Sequence, residues 1–351
     1  MAALPRIRST IVGLGGISFE HLEKLGRLPD VEVAGVCDLS PTLVDAVAER
    51  FGVAGRYTSY EDMLAELEPD SVHVLTPPQT HRQLVLGALD AGAHVLVEKP
   101  AAPTWDEYAE MRERAAERGL LMLENLNYRT MPVVAGIVAA RDDGRLGEIV
   151  NVDVSMGLGL ADPGSPYLDR APRHFAHDLP GGALQNFVSH PASVVAALVG
   201  APRVVRSSLR QLNPDSLGPD ELRALVDAEH GSATVTLTSH GKPPAFTLRV
   251  QGTSATLEGD VFAGRVEVER AGSPLTRISA GVRNAAAQLG ATAALVTRTA
   301  TGRNYWYVGF EDLLAGFYDA VAGRGELPVS VSEMDATNRL VAELFNPENR
   351  L

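Results

Sequence analysis

The chain has 351 residues, of which 45% are hydrophobic and 21% charged, and its formal net charge at pH 7 is −13. This length and composition predict two globular domains. An acidic balance with no basic cluster argues against nucleic acid or an anionic membrane as a partner. The single cysteine, Cys37, excludes a disulfide scaffold and a cysteine-rich metal site.

The N-terminal sequence, MAALPRIRSTIVGLGG, already predicts a strand and a turn by residue 16, which leaves no room for a signal peptide. No apolar run approaches the roughly 20 residues that a membrane-spanning helix needs. We therefore expect a cytoplasmic protein.

Residues 7–123 alternate between strand and helix patterns. The predicted strands are 7–12, 31–38, 72–75, 95–97 and 120–123. The predicted helices are 19–28, 41–51, 60–67, 81–91 and one that begins after the N-cap Thr104 and ends at Gly119. This alternation predicts a parallel sheet with helices on both faces, in a first domain of residues 1–124.

A glycine turn follows the first predicted strand and fits the pattern G-x-G-x-x-G/A, with Ser18 in the last place. Gly13 permits the tight turn, and Gly15 has no Cβ to block a pyrophosphate. The N–H groups at the start of the next helix then face the phosphate, so Gly16 and Ile17 join the predicted site. The alternative is a nucleotide-free, flavodoxin-like domain with a similar turn.

Asp38 closes the second strand about 20 residues after the glycine turn, where a carboxylate accepts hydrogen bonds from a ribose 2′-hydroxyl. The same charge repels a 2′-phosphate, and no arginine follows directly, so NAD is favoured over NADP as the cofactor. Asp38 could instead simply cap the next helix, although Ser40 could also do that.

The segment 72–100 predicts a strand, a turn, a helix and a second strand that ends at Glu98 and Lys99. Pro100 biases Lys99 away from the α region. Both side chains should therefore lie at the carboxyl end of a parallel strand, which is where ligands bind in open α/β sheets.

Together these motifs resemble the glucose–fructose oxidoreductase / inositol dehydrogenase / rhizopine-catabolism (Gfo/Idh/MocA) family. The resemblance is good over the first 200 residues and loose beyond them. The residues that carry it are the glycine turn, Asp38, Thr76-Pro77 with His81, 91–95, Glu98-Lys99-Pro100, Asn127-Tyr128-Arg129, 144–150, 181–184 and His190.

The resemblance implies an α/β architecture: an N-terminal Rossmann domain with a doubly wound parallel sheet, and a C-terminal α+β domain, residues 125–351, with a large, mostly antiparallel open sheet. It also implies a homodimer or homotetramer, often assembled through that sheet, and a sugar or polyol substrate between the domains. Thr76 and Pro77 would line the nicotinamide half of the cofactor, with His81 nearby. Glu98 and Lys99 would lie under the nicotinamide ribose and the substrate, and the Lys99–Pro100 bond would be cis.

The second half begins with a predicted helix, 131–141, and a strand, 149–154. The long loop 159–180 either reaches substrate or faces water with its polar side chains, which include Tyr167, Arg173, His174, His177 and Asp178. His174, His177 and His190 match no zinc-site spacing, so no metal is expected.

A helix is predicted over 181–199, and the strands predicted after it are 204–209, 222–228, 233–238, 246–250, 255–257 and 266–269. They suit an antiparallel sheet whose exposed apolar face would need cover by a second subunit. Closing helices are predicted over 310–321 and 332–345. The Ala-rich segment 282–300 is a possible added helix with no visible chemistry.

Asn186 and His190 are four residues apart and therefore share one helix face. The family typically has Asp-x-x-x-His here. Asn186 cannot ionise and can only hydrogen-bond a substrate hydroxyl, which leaves His190 as the acid–base candidate. Without the resemblance, His190 would be an ordinary helix residue.

These expectations combine into hydride transfer between a substrate carbinol carbon and NAD. His190 would take the hydroxyl proton, Lys99 would stabilise charge on the oxygen, and Asn127, Tyr128 and Asn186 would orient the substrate. Two alternatives stay open: an NAD-dependent hydrolase or lyase that uses transient oxidation, and a non-catalytic dinucleotide-sensing regulator. Absorbance at 340 nm with a panel of sugars and polyols separates the three.

Overall fold

The computed structural model describes residues 6–169, 174–270 and 307–351, with isolated positions between 278 and 297. These residues form two compact units. The first contains the described residues up to Asn125 together with Glu311–Ser330. The second contains those from Leu126 to Phe310 together with Val331–Leu351. The division into domains 1–124 and 125–351 stays a prediction, and it did not anticipate the grouping of Glu311–Ser330 with the N-terminal residues.

The first unit is built on a six-stranded sheet in which every neighbouring pair is parallel. The strand order is β3-β2-β1-β4-β5-β6, the Rossmann order with a reversal between β1 and β4. The strands are β1 (Ile7–Val12), β2 (Val31–Cys37), β3 (Gly55–Tyr57), β4 (Ser71–Val74), β5 (His94–Val97) and β6 (Met122–Glu124).

Five helices connect these strands: α1 (Gly16–Leu25), α2 (Pro41–Phe51), α3 (Tyr60–Leu67), α4 (Pro78–Asp90) and α5 (Trp105–Arg118). The predicted cap of α5 is confirmed, because the Thr104 side chain accepts a hydrogen bond from the Glu107 N–H and Gly119 ends the helix at φ 65°. Two starts were predicted three residues late. Helix α1 begins at Gly16 rather than at 19, and α4 begins at Pro78 rather than at 81.

The second unit is built on a seven-stranded sheet of order β13-β12-β11-β7-β10-β9-β8. Its strands are β7 (Ile149–Gly157), β8 (Pro202–Arg210), β9 (Glu221–Ala228), β10 (Gly231–Thr238), β11 (Ala245–Gly252), β12 (Ala255–Asp260) and β13 (Arg265–Arg270). All neighbouring pairs are antiparallel except β7 with β10, so the expected mostly antiparallel sheet is confirmed.

Helices cover one face of this sheet: α6 (Pro132–Asp142), α7 (Gly182–Val199) and α9 (Val331–Phe345). Helix α8 (Val308–Val321) precedes α9 along the chain. The opposite face is polar, and the prediction of an exposed apolar face was wrong. Thr234 donates to Asp153 at 2.6 Å and Arg249 donates to Glu258 at 2.7 Å across neighbouring strands of that face. Since these side chains pair with one another, the face needs no apolar cover.

The long loop 159–180 contains a 3-10 helix over Phe175–Asp178. Arg173 lies outside the described residues, as does most of the Ala-rich segment 282–300. Among the helices that the structure describes, none is both long enough and apolar enough to cross a membrane.

Two glycines of the second unit give a test of its packing. A Cβ at Gly181, which caps the start of α7, would overlap the ring of Phe345 in α9, whereas a Cβ at Gly136 on the exposed side of α6 would meet nothing within 4 Å. Gly181→Ala should lower the free energy of unfolding by about 1–3 kcal/mol through overpacking. Gly136→Ala should raise it by about 0.5–1 kcal/mol, because alanine loses less backbone entropy in a helix.

Urea denaturation of both variants and the parent measures these changes as shifts of the midpoint at constant slope. Equal stability of the Gly181→Ala variant and the parent would contradict the close packing of α7 on α9.

Candidate active site

The carboxyl ends of the parallel strands carry most of the predicted site residues of the first unit. The hydrogen-bond ladder continues one residue past each strand, from Gly13 N–H to Cys37 O (2.9 Å) and from Glu98 N–H to Val74 O (2.9 Å). Asn125 N–H likewise donates to Val97 O at 2.8 Å. The residues that follow β1, β5 and β6 are therefore aligned along one edge of the sheet.

The glycine turn has the geometry that a dinucleotide phosphate needs. Gly13 has φ 90°, and a Cβ there would lie 2.8 Å from backbone atoms of Leu75 and Thr76, so only glycine fits. A Cβ on Gly15 would meet no protein atom within 4 Å, so the space beside that residue is open. Because α1 begins at Gly16, the N–H groups of Gly16 and Ile17 have no acceptor within the helix and are available to an anion, whereas the Ser18 N–H donates to the Gly15 carbonyl oxygen at 3.0 Å.

Asp38 holds the glycine turn to the end of β2. Its Oδ2 accepts the Leu14 N–H and its Oδ1 accepts the Ser40 N–H, both at 2.9 Å. The capping of α2 falls to Ser40, whose side chain accepts from the Leu43 N–H. The carboxylate of Asp38 retains lone pairs that can accept from ribose hydroxyls.

His81, which is expected near the cofactor, contacts the main chain through both ring nitrogens. Its ring is buried, with Nε2 2.7 Å from the carbonyl oxygen of Thr76 and Nδ1 3.1 Å from that of Ala101. Burial lowers the pKa of His81 against the opposing effect of these carbonyls. Both ring nitrogens thus face the main chain, so His81 braces the loops after β4 and β5.

Glu98 is buried and accepts hydrogen bonds from three groups. Its Oε1 accepts from His21 Nε2 at 3.0 Å and from Asn125 Nδ2 at 2.5 Å, and its Oε2 accepts the Lys99 N–H at 3.2 Å. Burial alone would raise the pKa of Glu98, but the hydrogen bond from His21, together with Lys99 and Asn125, outweighs it and lowers the pKa to about 2. Glu98 is therefore an anion at neutral pH.

Lys99 follows Glu98 and is joined to Pro100 by a cis peptide bond, as the resemblance implied. Burial lowers the pKa of Lys99, against the opposing charges of Glu98 and Glu124. Such a lysine can hold a proton beside a reacting oxygen and exchange it near neutral pH more readily than an exposed one.

Sequence reasoning missed His21, Glu124 and Asn125 as members of this cluster. Glu124 is fully buried and accepts the Ala101 N–H at 3.1 Å. A signal for two of them was present, because polar Glu124-Asn125 follows the apolar run of β6 as Glu98-Lys99 follows that of β5. His21 has no such signal, since it lies in the middle of a helix.

In the second unit, the structure brings the remaining candidates together in pairs. The rings of Tyr128 and His190 stack with centroids 4.0 Å apart and planes at 20°, and both residues are buried. Asn127, next to Tyr128, is buried as well. Asn186 Nδ2 donates to the hydroxyl of Tyr167 at 3.3 Å, which joins helix α7 to the long loop.

This contact makes Tyr167 a candidate substrate-binding residue. Burial raises its pKa, with the hydrogen bond from Asn186 acting in the opposite direction. The hydroxyl is therefore protonated at neutral pH. Since Asn186 occupies an acceptor site on its oxygen, the proton of Tyr167 can point toward a substrate oxygen.

A metal site finds no support in the part of the chain that the structure describes. No three His, Cys, Asp or Glu side chains among these residues converge on a point that could hold a metal ion.

Comparison with known proteins agrees with both units. A family model for the "Oxidoreductase family, NAD-binding Rossmann fold" (GFO_IDH_MocA) matches residues 7–126, and one for the "GFO/IDH/MocA C-terminal domain" matches residues 136–258. D-xylose 1-dehydrogenase (NADP(+)) 2 of Haloferax volcanii is 27% identical over 254 residues, which are 71% of this chain and 74% of that protein. Glycosyl hydrolase family 109 protein 2 of Akkermansia muciniphila is 35% identical over 136 residues, 36% of this chain and 29% of that protein.

Among solved structures, the WlbA dehydrogenase of Bordetella pertussis in complex with NADH and UDP-GlcNAcA has the same fold, with a TM-score of 0.81 at 21% identity. The match covers 99% of this chain and 97% of that one. The two family models together span well over half of the sequence. The chain belongs to the Gfo/Idh/MocA oxidoreductase family, and its residues 7–126 carry the NAD-binding Rossmann fold of that family.

Proposed function

We propose that the protein is an NAD-dependent dehydrogenase or reductase that transfers hydride between the nicotinamide ring and a CH–OH carbon of a sugar, a polyol or a related hydroxy compound. The observation that carries this proposal is the position of Lys99, with its pKa lowered by burial, beside the anionic Glu98 at the sheet edge that also holds the glycine turn. Relatives named as sugar dehydrogenases support the substrate class.

The proposed cofactor-binding residues lie along the same edge of the parallel sheet. Gly13, Gly15, Gly16 and Ile17 would receive the phosphates, and Asp38 the adenosine ribose. Thr76 and Pro77, between β4 and α4, would line the nicotinamide half, while His81 supports their loop. The bound cofactor supplies the hydride acceptor or donor.

We assign charge stabilisation and proton transfer at the substrate oxygen to Lys99 and His190. We propose that the Lys99 ammonium donates a hydrogen bond to the reacting substrate oxygen and stabilises negative charge on it in either direction of reaction. His190 takes the hydroxyl proton in oxidation, since the ordinary pKa of histidine suits that transfer. Asn127, Tyr128 and Asn186 orient the other hydroxyl groups, and the Asn186–Tyr167 pair extends this set.

A hydrolase or lyase that uses NAD only for transient oxidation is the second candidate. The 35% identity over 136 residues to a protein named as a family 109 glycosyl hydrolase favours keeping it. Absorbance at 340 nm separates the two, because a dehydrogenase accumulates NADH in step with substrate oxidised. Cleavage of a glycoside without net NADH would identify the hydrolase.

We also propose a homodimer or homotetramer that assembles through the exposed face of the second sheet. Paired charges such as Arg249 with Glu258 and exposed Leu225 would make that interface a mixed polar one. The proposed location is the cytoplasm, where the nicotinamide pool is available to a dehydrogenase.

Replacing Lys99 by methionine tests the central assignment. Lys99→Met keeps most of the side-chain volume but removes the cation, so turnover should fall at least about 100-fold, the loss typical of one oxyanion donor. The dissociation constant for NAD, measured by fluorescence titration, should stay within about threefold, since the contacts to the phosphates and to the adenosine ribose are untouched.

Lys242→Met is the matched control, because Lys242 is also joined to a proline by a cis bond but lies exposed in an ion pair with Asp162. It should leave turnover unchanged. Normal turnover by the Lys99→Met enzyme would reject the role of Lys99.

The preference for NAD over NADP should depend on the charge of Asp38. Asp38→Asn keeps an acceptor oxygen but removes the repulsion of a 2′-phosphate. The ratio of the two dissociation constants should therefore shift toward NADP about tenfold, or about 1.4 kcal/mol. Calorimetric titration of both cofactors measures it.

Asp45→Asn serves as the control, since this exposed carboxylate on α2 pairs with Arg56 at 2.9 Å and has no place in the proposed cofactor site. An unchanged ratio in the Asp38→Asn protein would mean that another group selects the cofactor.

A further inference from the structure

A line of buried polar side chains runs from Glu98 through the core of the first unit. His21 Nε2 contacts Glu98 at 3.0 Å, and His21 Nδ1 lies 2.8 Å from His73 Nδ1. His73 Nε2 lies 2.7 Å from the Tyr318 hydroxyl. All are at most 7% exposed, so water does not compete for these contacts.

The charge of Glu98 fixes the direction of the hydrogen bonds along this line. An ionised carboxylate only accepts, so His21 must donate through Nε2–H. Burial lowers the pKa of His21, against the opposing effect of Glu98, and burial together with His21 holds the pKa of His73 well below its usual range. Both rings are therefore neutral at pH 7, and each carries a single N–H.

A neutral His21 that donates through Nε2 presents a lone pair at Nδ1. The neighbouring His73 Nδ1 can donate to that lone pair, and His73 Nε2 lies against the Tyr318 oxygen. The Tyr318 hydroxyl donates to Ser9 Oγ at 2.8 Å, and its oxygen lies 3.3 Å from Ser71 Oγ. All four ring nitrogens of His21 and His73 thus have a polar neighbour within hydrogen-bond distance, which holds the two rings in place.

We propose that His21 is a positioning residue for Lys99: it keeps Glu98 ionised, and His73 and Tyr318 hold the His21 ring as the donor. The inference rests on the proposed role of Lys99 as the cation at the substrate oxygen. The buried groups of His21, His73 and Tyr318 then have a function beyond packing, because the negative charge of Glu98 favours the protonated form of the neighbouring lysine.

Other charged and titratable groups face this cluster and are unchanged in the test. Around His21 they are Glu20 and Lys24 on its own helix, around Glu98 they are His81 and the amide of Asn125, and around Lys99 there is Glu124. None of these groups other than Asn125 hydrogen-bonds Glu98 as His21 does, so removal of His21 deletes the strongest influence that lowers the pKa of Glu98.

His21→Phe keeps the volume of a ring but has no donor, and His21→Gln retains an amide donor for Glu98 and an acceptor for His73. In the phenylalanine variant Glu98 should take up a proton at a pH about five units higher than in the parent, near neutrality, because burial then acts on a carboxyl that has lost its main donor. The alkaline limb of the kcat/KM profile should then move down by about one pH unit, since Lys99 loses its anionic neighbour. The glutamine variant should restore both values.

The carboxyl titration is followed by carbon-13 NMR of glutamate-labelled protein, with Glu98→Gln used to assign the signal, and it needs no turnover. If His21→Phe does not fold, His21→Leu replaces it. The inference is overturned if Glu98 stays ionised at neutral pH in the variant without a donor. It is also overturned if the alkaline limb of the kcat/KM profile is the same in the parent, the donor-free variant and His21→Gln. Absence of any dehydrogenase activity in the parent would count against the proposed function and leave the NMR result to decide this one.

Discussion

The buried carboxylate of Glu98 is the constraint on which the candidate site depends. An anion out of contact with water is tolerated only with several donors, and here they come from α1, from the end of β6 and from the backbone of Lys99. The donors tie the helix of the glycine turn, the strand end with Lys99 and the last strand to one side chain. The phosphate site and the proposed catalytic lysine are thus held by the same charge.

The parallel register extends this constraint along the sheet. The N–H of each residue after a strand donates to the neighbouring strand, so the glycine turn, Glu98 and Asn125 are aligned before any cofactor binds. Asp38 adds a second tie, because its carboxylate holds Leu14 of the turn. Aligned strand ends position charged groups at low entropic cost on binding, which is the usual advantage of a site on rigid elements.

The sequence predicted correctly those features that depend on a few neighbouring residues. The Thr104 cap and the Gly119 stop were predictable because each depends on a few neighbouring residues. The contact of Tyr318 with His73 was not, since those residues are 245 positions apart and neither belongs to a motif. The start of α1 was predicted late because Gly15 and Gly16 disfavour helix, although glycine is acceptable at an N-terminus. The polar outer face of the second sheet was missed, although β9 and β10 alternate between buried and more exposed positions.

Asn186 illustrates how a departure from the family pattern is accommodated by its surroundings. An aspartate there would accept the proton of the Tyr167 hydroxyl in a hydrogen bond, whereas the Asn186 amide donates to its oxygen and leaves that proton for another acceptor. Asn186 therefore leaves α7 without a negative charge at this position, and it leaves the neutral Tyr167 hydroxyl on the long loop as a hydrogen-bond donor. His190 then has no carboxylate at this position, and its ring is buried and stacked on that of Tyr128. The ammonium of Lys99 and the carboxylate of Glu98 therefore supply the charges on which the proposed chemistry depends.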